Sequence, residues 1–424
     1  MDGATTARQR RPRPSRCQHR VRAVTLAILV YTTLRRGGRM SAPHQVHGMG
    51  WTPAAPDWPA LTHAEIAQVL QAFPQLAPVG AAQWHSARPF SAAARVDTAA
   101  GAVIVKRHHL RVRDAAALDE EHRFMAHLRA AGAPVVEVLS TADGRTALPL
   151  ASWTYEVQRL GEGVDLYRDA LSWTAFQQAQ HAHAAGQALA RLHAAARGFA
   201  APARHTTVLV ANLRLFMQRD PLQALSEALP TRPALAAALH ARRWRQDLAT
   251  HLMPWHAQAW PLLSRPNALP PLWTHGDWHA SNLLWQQRDG HADVSAVFDF
   301  GLADRTCALF DLATAIERNL IPWLALDLGQ RAPPHLDQLD ALLDGYALVQ
   351  PLDAAQLQCL AALLPLVHAD FALSELAYFT AITGSTENAE LAYHRYLLGH
   401  ADWFASADGQ RLLERLHARA RCLP

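Results

Sequence analysis

The chain reads as an α+β protein in two parts, a small β-rich N-terminal lobe and a larger helical C-terminal lobe. Three observations carry that reading. Between residues 80 and 160, apolar and polar residues alternate in short runs, the period of strands. After GEGVDL (161–166) the composition turns Ala-, Leu- and His-rich, with apolar residues recurring at helical spacing. The length of 424 residues, half of them hydrophobic, is ample for one large domain or two lobes.

Residues 41–60 are Pro- and Ala-rich and read as irregular. LTHAEIAQVLQAF (61–73) predicts a short helix: Thr62 and Glu65 form a capping box, and Ile66, Val69, Leu70 and Phe73 share one face. AAQWHSARPF and AARVDTAAGAVIVKRHH predict strands, the second a hairpin turning at TAAG. ALDEEHRFMAHLRAAGAP (117–134) predicts a helix with Leu118, Phe124, Met125 and Leu128 on its apolar face, ended by Gly132 and Pro134. VVEVLS and TALPLASWTYEVQRL predict further strands, so one helix is inserted in a small sheet. A long helix follows over 175–196. More are expected near 209–226, 233–251, 308–329, 336–348, 354–382, 386–400 and 409–420.

The net charge of +4 is uneven, because residues 1–39 hold ten Arg against one acid, Asp2. The basic pI is therefore a property of this tail. The rest is mildly acidic and does not predict nucleic-acid binding. Within the tail, AVTLAILVYTTL (23–34) is too short to span a bilayer. A start codon assigned too early, with Met40 the first residue, is the preferred account, ahead of an export signal and a basic surface arm. The four cysteines are far apart, form no CxxC, and fit a reducing, cytoplasmic setting. Of the 40 basic residues, only Lys106 is lysine, which suggests a position where a compact ammonium serves and a wide guanidinium does not.

The chemistry concentrates in LWTHGDWHASNLLW (272–285), where His275, Asp277, His279 and Asn282 lie between apolar flanks. FDFGLAD follows, with Asp299. A predicted hairpin about RDGHAD (288–293) sets Asn282 and Asp299 at adjacent strand ends. An amide oxygen beside a carboxylate suits a hard cation such as Mg2+, and Asp277 could accept or orient a hydroxyl proton. With Lys106 on a strand of the small lobe, and Glu121 on the next helix to pair with it, these are the parts of phosphoryl transfer.

HGDWHASN, then DFG, then ALFDLA (308–313) resembles the aminoglycoside phosphotransferase/choline kinase family; LARLHA (189–194), EHRFMAHL (121–128) and VIVK (103–106) resemble it too. The resemblance implies a bilobal protein-kinase-like fold with ATP between the lobes: a nucleotide lobe over 40–156, a hinge at 157–161 and a helical catalytic and substrate lobe over 162–424. It implies Asp277 as catalytic base, Asn282 and Asp299 as Mg2+ ligands, Lys106 as phosphate clamp and Glu121 as its partner. Backbone groups of Val157, Gln158, Arg159 and Leu160 would meet adenine, and His275 and Asp311 would be structural supports. His193 and His279 are read as hydrogen-bonded imidazoles rather than ligands, and Asp304 as a capping or solvated acid. The phosphate-covering loop falls in HSARPFSAAAR (85–95), which departs from the pattern by having no glycine. Ser86 and Ser91 there are either phosphate donors or ordinary turn residues.

The acceptor is expected beside Asp277. In VHADFALSELAYF (367–379), Asp370 and Glu375 interrupt an apolar helix, a reasonable site for an ammonium group. That leans toward an amino alcohol, hydroxy-amino acid or amino sugar, a small-molecule hydroxyl substrate, with no nucleic-acid or membrane partner. A Ser/Thr protein kinase on the same fold and an inactive nucleotide-binding scaffold are the alternatives.

Overall fold

The computed structural model describes residues 1, 45–47, 53–288 and 291–423. The basic tail therefore lies, Met1 apart, outside the described residues, and everything below concerns the compact unit Gln45–Pro424.

The first helix, α1 (His63–Leu70), begins where expected, with both halves of the Thr62–Glu65 capping box made. Five antiparallel strands follow: β1 (Val79–His85), β2 (Ala92–Thr98), β3 (Gly101–His109), β4 (Leu148–Leu150) and β5 (Trp153–Arg159). They lie in the order β1-β2-β3-β5-β4, with Lys106 opposite Glu156 in the central pair. The β2–β3 hairpin turns at Thr98–Gly101, as the TAAG signal predicts. VVEVLS forms no strand of its own. It is tied to the sheet by Leu139 N–H donating to Val157 O at 2.8 Å and Arg159 N–H to Glu137 O at 2.8 Å.

Helix α2 (Ala115–Ala130) does not belong to the core of this sheet. Its apolar residues Phe124, Met125 and Leu128 are buried in the larger core, whereas Ile66, Val96, Val105 and Val157 form a separate, smaller one. Two cores with α2 packed on the larger one give the two-part α+β layout. The larger core is built on α3 (Ala179–Ala196), the hairpin Leu283–Arg288 with His291–Val297, the strand pair Pro271–Thr274 with Asp304–Cys307, and the helices after them.

Some helix predictions shift. Residues 209–220 are irregular, and helix starts only at Pro221, where Asp220 caps it. In ANLRLFMQRD, Asn212 Oδ1 takes Arg214 N–H at 3.1 Å and Leu213, Leu215 and Phe216 are buried, so the segment packs as turns rather than as a helix. A helix over Met253–Leu263 was not anticipated. The long segment near 354–382 divides at Leu364–Leu366 into α4 (Ala354–Leu363) and α5 (Ala369–Tyr378), with Pro365 at the break. Ala354–Thr383 is long and apolar enough to cross a membrane, but 89% of its most apolar window is buried inside the protein, as in a core helix.

Candidate active site

The loop 275–282 is built by backbone groups that neighbouring side chains satisfy. Asp311, buried in the first turn of the helix Ala308–Leu320, accepts His275 N–H at 2.9 Å through Oδ2 and Gly276 N–H at 2.8 Å through Oδ1. His193 Nε2 lies 3.1 Å from the same Oδ2, and its Nδ1 lies 2.9 Å from Tyr346 Oη. Burial alone would raise Asp311, but the His193 bond and the nearby imidazoles hold it below the ordinary carboxylate value. His275 accepts Asp277 N–H through Nδ1 at 3.2 Å and donates from Nε2 to Phe298 O at 3.0 Å, which fixes its tautomer. Gly276 takes φ +77°, and a Cβ there would stand 2.5 Å from Leu302 O; the turn admits only glycine. Asn319 closes the far side, accepting Ala280 N–H and donating to Trp278 O, each at 2.9 Å.

These supports present Asp277 to a cavity of about 170 Å³. Asn282 Nδ2 donates to Asp277 O at 3.0 Å and to Oδ2 at 3.2 Å, leaving its own amide oxygen as an acceptor. Asp299, across the cavity, sits at φ +61°, ψ +65°, a left-handed conformation a non-glycine residue holds only where its surroundings impose it. Its Oδ1 accepts Lys106 Nζ at 2.7 Å. Burial disfavours both charges, yet the pair sustains them: Asp299 is lowered and Lys106 raised, the lysine aided by Glu156 and Glu121. For Asp277, burial is likewise outweighed, by His279 and Arg318, and the carboxylate is held well below its usual range.

Lys106, Asp277, Asn282 and Asp299 thus line one cavity. Glu121 does not meet Lys106 as expected. Among the described residues its ion partner is Arg204, at 3.5 Å, and the Lys106 ion pair goes to Asp299. The buried Arg204 is fixed by the carbonyls of Ala117 and Ala303, which holds the guanidinium on the side of α2 that Glu121 occupies. Opposite Lys106, Glu156 is clasped by His108 and His122, both at 2.9 Å. Val157, Gln158, Arg159 and Leu160 lie outside the cavity lining, and the N–H groups of Arg159 and Leu160 bond Glu137 O and Ala102 O. Asp304 is neither a helix cap nor solvated: it opens the strand Asp304–Cys307, is fully buried, accepts Arg204 N–H at 2.7 Å and pairs with Arg214, because these partners lie far off in the chain.

Of the two acids expected at the substrate end, Glu375 lines the cavity and Asp370 does not. Five residues apart on a helix is a rotation of about 140°, so they face different ways. Asp370 accepts Leu215 N–H at 3.1 Å. Burial pushes Glu375 up to about 8 against the partial opposition of Arg318, and Asp370 up to about 7 against the Leu215 bond and the charges of Arg232 and Arg214.

Two cations of the cavity belong to none of the sequence motifs. Arg318 is buried between Trp173, 4.1 Å from its ring centroid, and Phe371, at 4.9 Å, and its Nε lies 3.5 Å from Asp277 Oδ1. The signal was a lone arginine inside the apolar helix that begins at Ala308. Arg88 enters from the glycine-free loop between β1 and β2. Nothing in the sequence says which way that loop folds.

The phosphotransferase enzyme family matches residues 86–352 of the chain. A homoserine kinase of Methylobacterium radiotolerans is 30% identical over 182 residues, covering 43% of this chain and 47% of the relative, so the chain spans about half the length of that curated relative. The solved structure of a microcompartment-associated aminopropanol kinase superposes with a TM-score of 0.50 at 18% identity, over 82% of this chain and 99% of that one. An amicoumacin kinase in complex with AMP-PNP and Ca2+ does so with a TM-score of 0.48 at 15% identity, over 85% of this chain and 96% of its own. The likeness to the aminopropanol kinase is one of fold.

Proposed function

The chain belongs to the phosphotransferase enzyme family, and from that premise we propose that it transfers the γ-phosphoryl group of ATP to a hydroxyl of a small, amine-bearing molecule. One observation carries the reading: Lys106, Asp277, Asn282 and Asp299, spread over nearly two hundred positions of sequence, converge on a single cavity. A space of about 170 Å³ walled by Trp173 and Phe371 suits a small molecule better than an extended peptide.

Asp277 is the base. Its carboxylate stays ionised beside Arg318 and His279, and it orients the acceptor hydroxyl and takes its proton as the oxygen bonds to phosphorus. Lys106 holds a positive charge toward the nucleotide's phosphates, kept protonated by Asp299 and Glu156. The donor set fits Mg2+. Asn282 commits its amide nitrogen to Asp277 and keeps the oxygen, and Asp299 commits Oδ1 to Lys106 and keeps Oδ2. Two hard oxygens are few for a resident metal, and no cluster of three His, Cys, Asp or Glu groups among the described residues would hold one. A cation completed by phosphate oxygens and water suits such a pair. When bound, it would neutralise charge on the phosphates. Glu375 recognises the acceptor's ammonium. An arriving cation replaces the proton that burial keeps on this carboxyl.

The test is an ADP-release screen of hydroxylated amines, amino acids, sugars and aminoglycosides, with Mg2+ and ATP. Turnover of an amine-bearing alcohol, lost in Asp277→Asn, is the expected result. Wild-type protein that binds no Mg·nucleotide would end the kinase reading; preference for a neutral sugar would end the amine part alone.

A further inference from the structure

We propose that Arg88 replaces the usual backbone cradle of the phosphate-covering loop, its guanidinium contacting the terminal phosphoryl group of the bound nucleotide. The assignment rests on the kinase reading above. It follows from where the loop between β1 and β2 spends its N–H groups.

A glycine-rich loop binds phosphate by aiming successive backbone N–H groups at it, which needs glycine's conformational freedom and unoccupied donors. Here two of the donors are committed. Ser86 N–H donates to Ala93 O at 2.8 Å, closing the hairpin, and Arg88 N–H donates to Ser86 Oγ at 3.1 Å. Pro89 has no N–H at all. Ala87 O is occupied as well, accepting His47 N–H at 2.7 Å. The loop's tip is fixed by Phe90, whose ring packs edge-on against Tyr378 at 5.4 Å and beside Phe379 at 6.0 Å. A loop without glycine, with Pro89 at its turn and Phe90 packed on Tyr378 and Phe379, is poorly suited to wrap an anion with its backbone. It can carry a side chain to one.

That side chain is Arg88. It lines the same cavity as Lys106, Asp277 and Asp299, and it feels the charges of Asp165, Asp299 and Asp277, the last two of which bracket the place of the transferred group. Its Nη1 is steadied by Ser172 Oγ at 2.5 Å and His47 Nδ1 at 3.2 Å, two neutral-capable partners, one from each side of the cavity. Neither is a carboxylate; the acid whose charge Arg88 feels most is Asp165, but among the described residues no carboxylate forms an ion pair with it, so the guanidinium keeps donors for an anion. A planar fork of donors suits phosphoryl oxygens better than a lysine would. During transfer, the bond from the γ-phosphorus to the bridging oxygen breaks, its electron pair leaving with ADP. The acceptor oxygen bonds to phosphorus and its proton passes to Asp277. Arg88 offsets charge on the equatorial oxygens throughout.

The experiment measures affinity for Mg·AMP-PNP and for Mg·ADP by calorimetry, in wild type, Arg88→Ala and Arg88→Lys, with thermal stability followed in parallel. ADP lacks the terminal group, so a phosphate contact predicts a split. Arg88→Ala should weaken AMP-PNP by about tenfold or more and ADP by less than about threefold, with Arg88→Lys between. Equal weakening of both nucleotides, or none, would overturn the assignment and leave Arg88 as a tie to Ser172 and His47. If Arg88→Ala does not fold, the same split or its absence in Arg88→Lys decides. A wild-type protein that binds neither nucleotide overturns the kinase reading and this inference together.

Discussion

Asp277 and Glu375 are two carboxyl groups on the wall of one cavity, and the balance of burial and partners shifts them in opposite directions, one toward the ionised and the other toward the neutral form. Burial acts on both in the same direction. Asp277, on the 275–282 loop, has Arg318 and His279 each at 3.5 Å and an Asn282 amide on Oδ2. Glu375, on α5, has an Oε2 with no hydrogen-bond partner among the described residues and feels Arg318 only at longer range. Side-chain chemistry and burial therefore do not set the role of a buried acid; the partners within a few ångströms do. In the proposed reaction, one acid would receive a proton and the other would give one up to an arriving cation.

The comparison breaks first at Asp277. Asp277→Asn should lower kcat by about three orders of magnitude, while calorimetry finds Mg·AMP-PNP binding within a few fold of wild type. Retained turnover would place the base elsewhere. Asp299→Ala acts on the other side of the cavity: nucleotide affinity in the presence of Mg2+ should fall by about ten- to a hundredfold, and titrating Mg2+ shows whether the loss is one of metal.

Arg318 sharpens the contrast because it faces both acids. Without it, Asp277 loses a cation that lowers its pKa and Glu375 loses its main opposing charge. Arg318→Met should move the acid limb of the kcat–pH profile upward, since Asp277 then ionises at higher pH. An unmoved limb would mean that Arg318 does not set the ionisation of Asp277.

The smallest effect concerns stability. Glu375 is raised from its ordinary 4.5 to about 8, so it favours the folded state at low pH and that contribution is lost as pH rises through about 8. Urea unfolding of Glu375→Gln at pH 5 and pH 9 should show a shallower fall with pH than wild type. Asp370, raised to about 7, keeps part of the slope in the variant. A slope equal to wild type's would mean that Glu375 is not held neutral. Asp370→Asn should leave the acceptor KM unchanged, because this acid serves Leu215 N–H outside the cavity.

Much of the architecture was legible in local patterns. The Thr62–Glu65 cap, the hairpin at TAAG and the hairpin after Asn282 are short-range devices whose determinants are adjacent in the chain. The spacing His275-x-Asp277-x4-Asn282, then Asp299, was readable because a loop and one hairpin bring those residues together within a few dozen positions. Long-range choices were not readable in this way. Glu120 and Glu121 look alike on paper, and a remote guanidinium, Arg204, settles which charge the latter meets. Asp370 and Glu375 look like one acidic pair until the helix is placed against its neighbours. VVEVLS looks like a strand and is an edge segment holding the sheet's last strand in place.

The sequence by itself determined the two-part α+β layout, the His275-x-Asp277-x4-Asn282 spacing and the singling out of Lys106 as the one lysine, since each depends on periodicity, turn chemistry or residue type over a short span. Tertiary structure alone decided which buried acid is charged, which cation each one meets and that an arginine enters from a loop without glycine. Those outcomes depend on distances between segments far apart in the chain, and electrostatic energy in a poorly solvated cavity changes steeply with such distances.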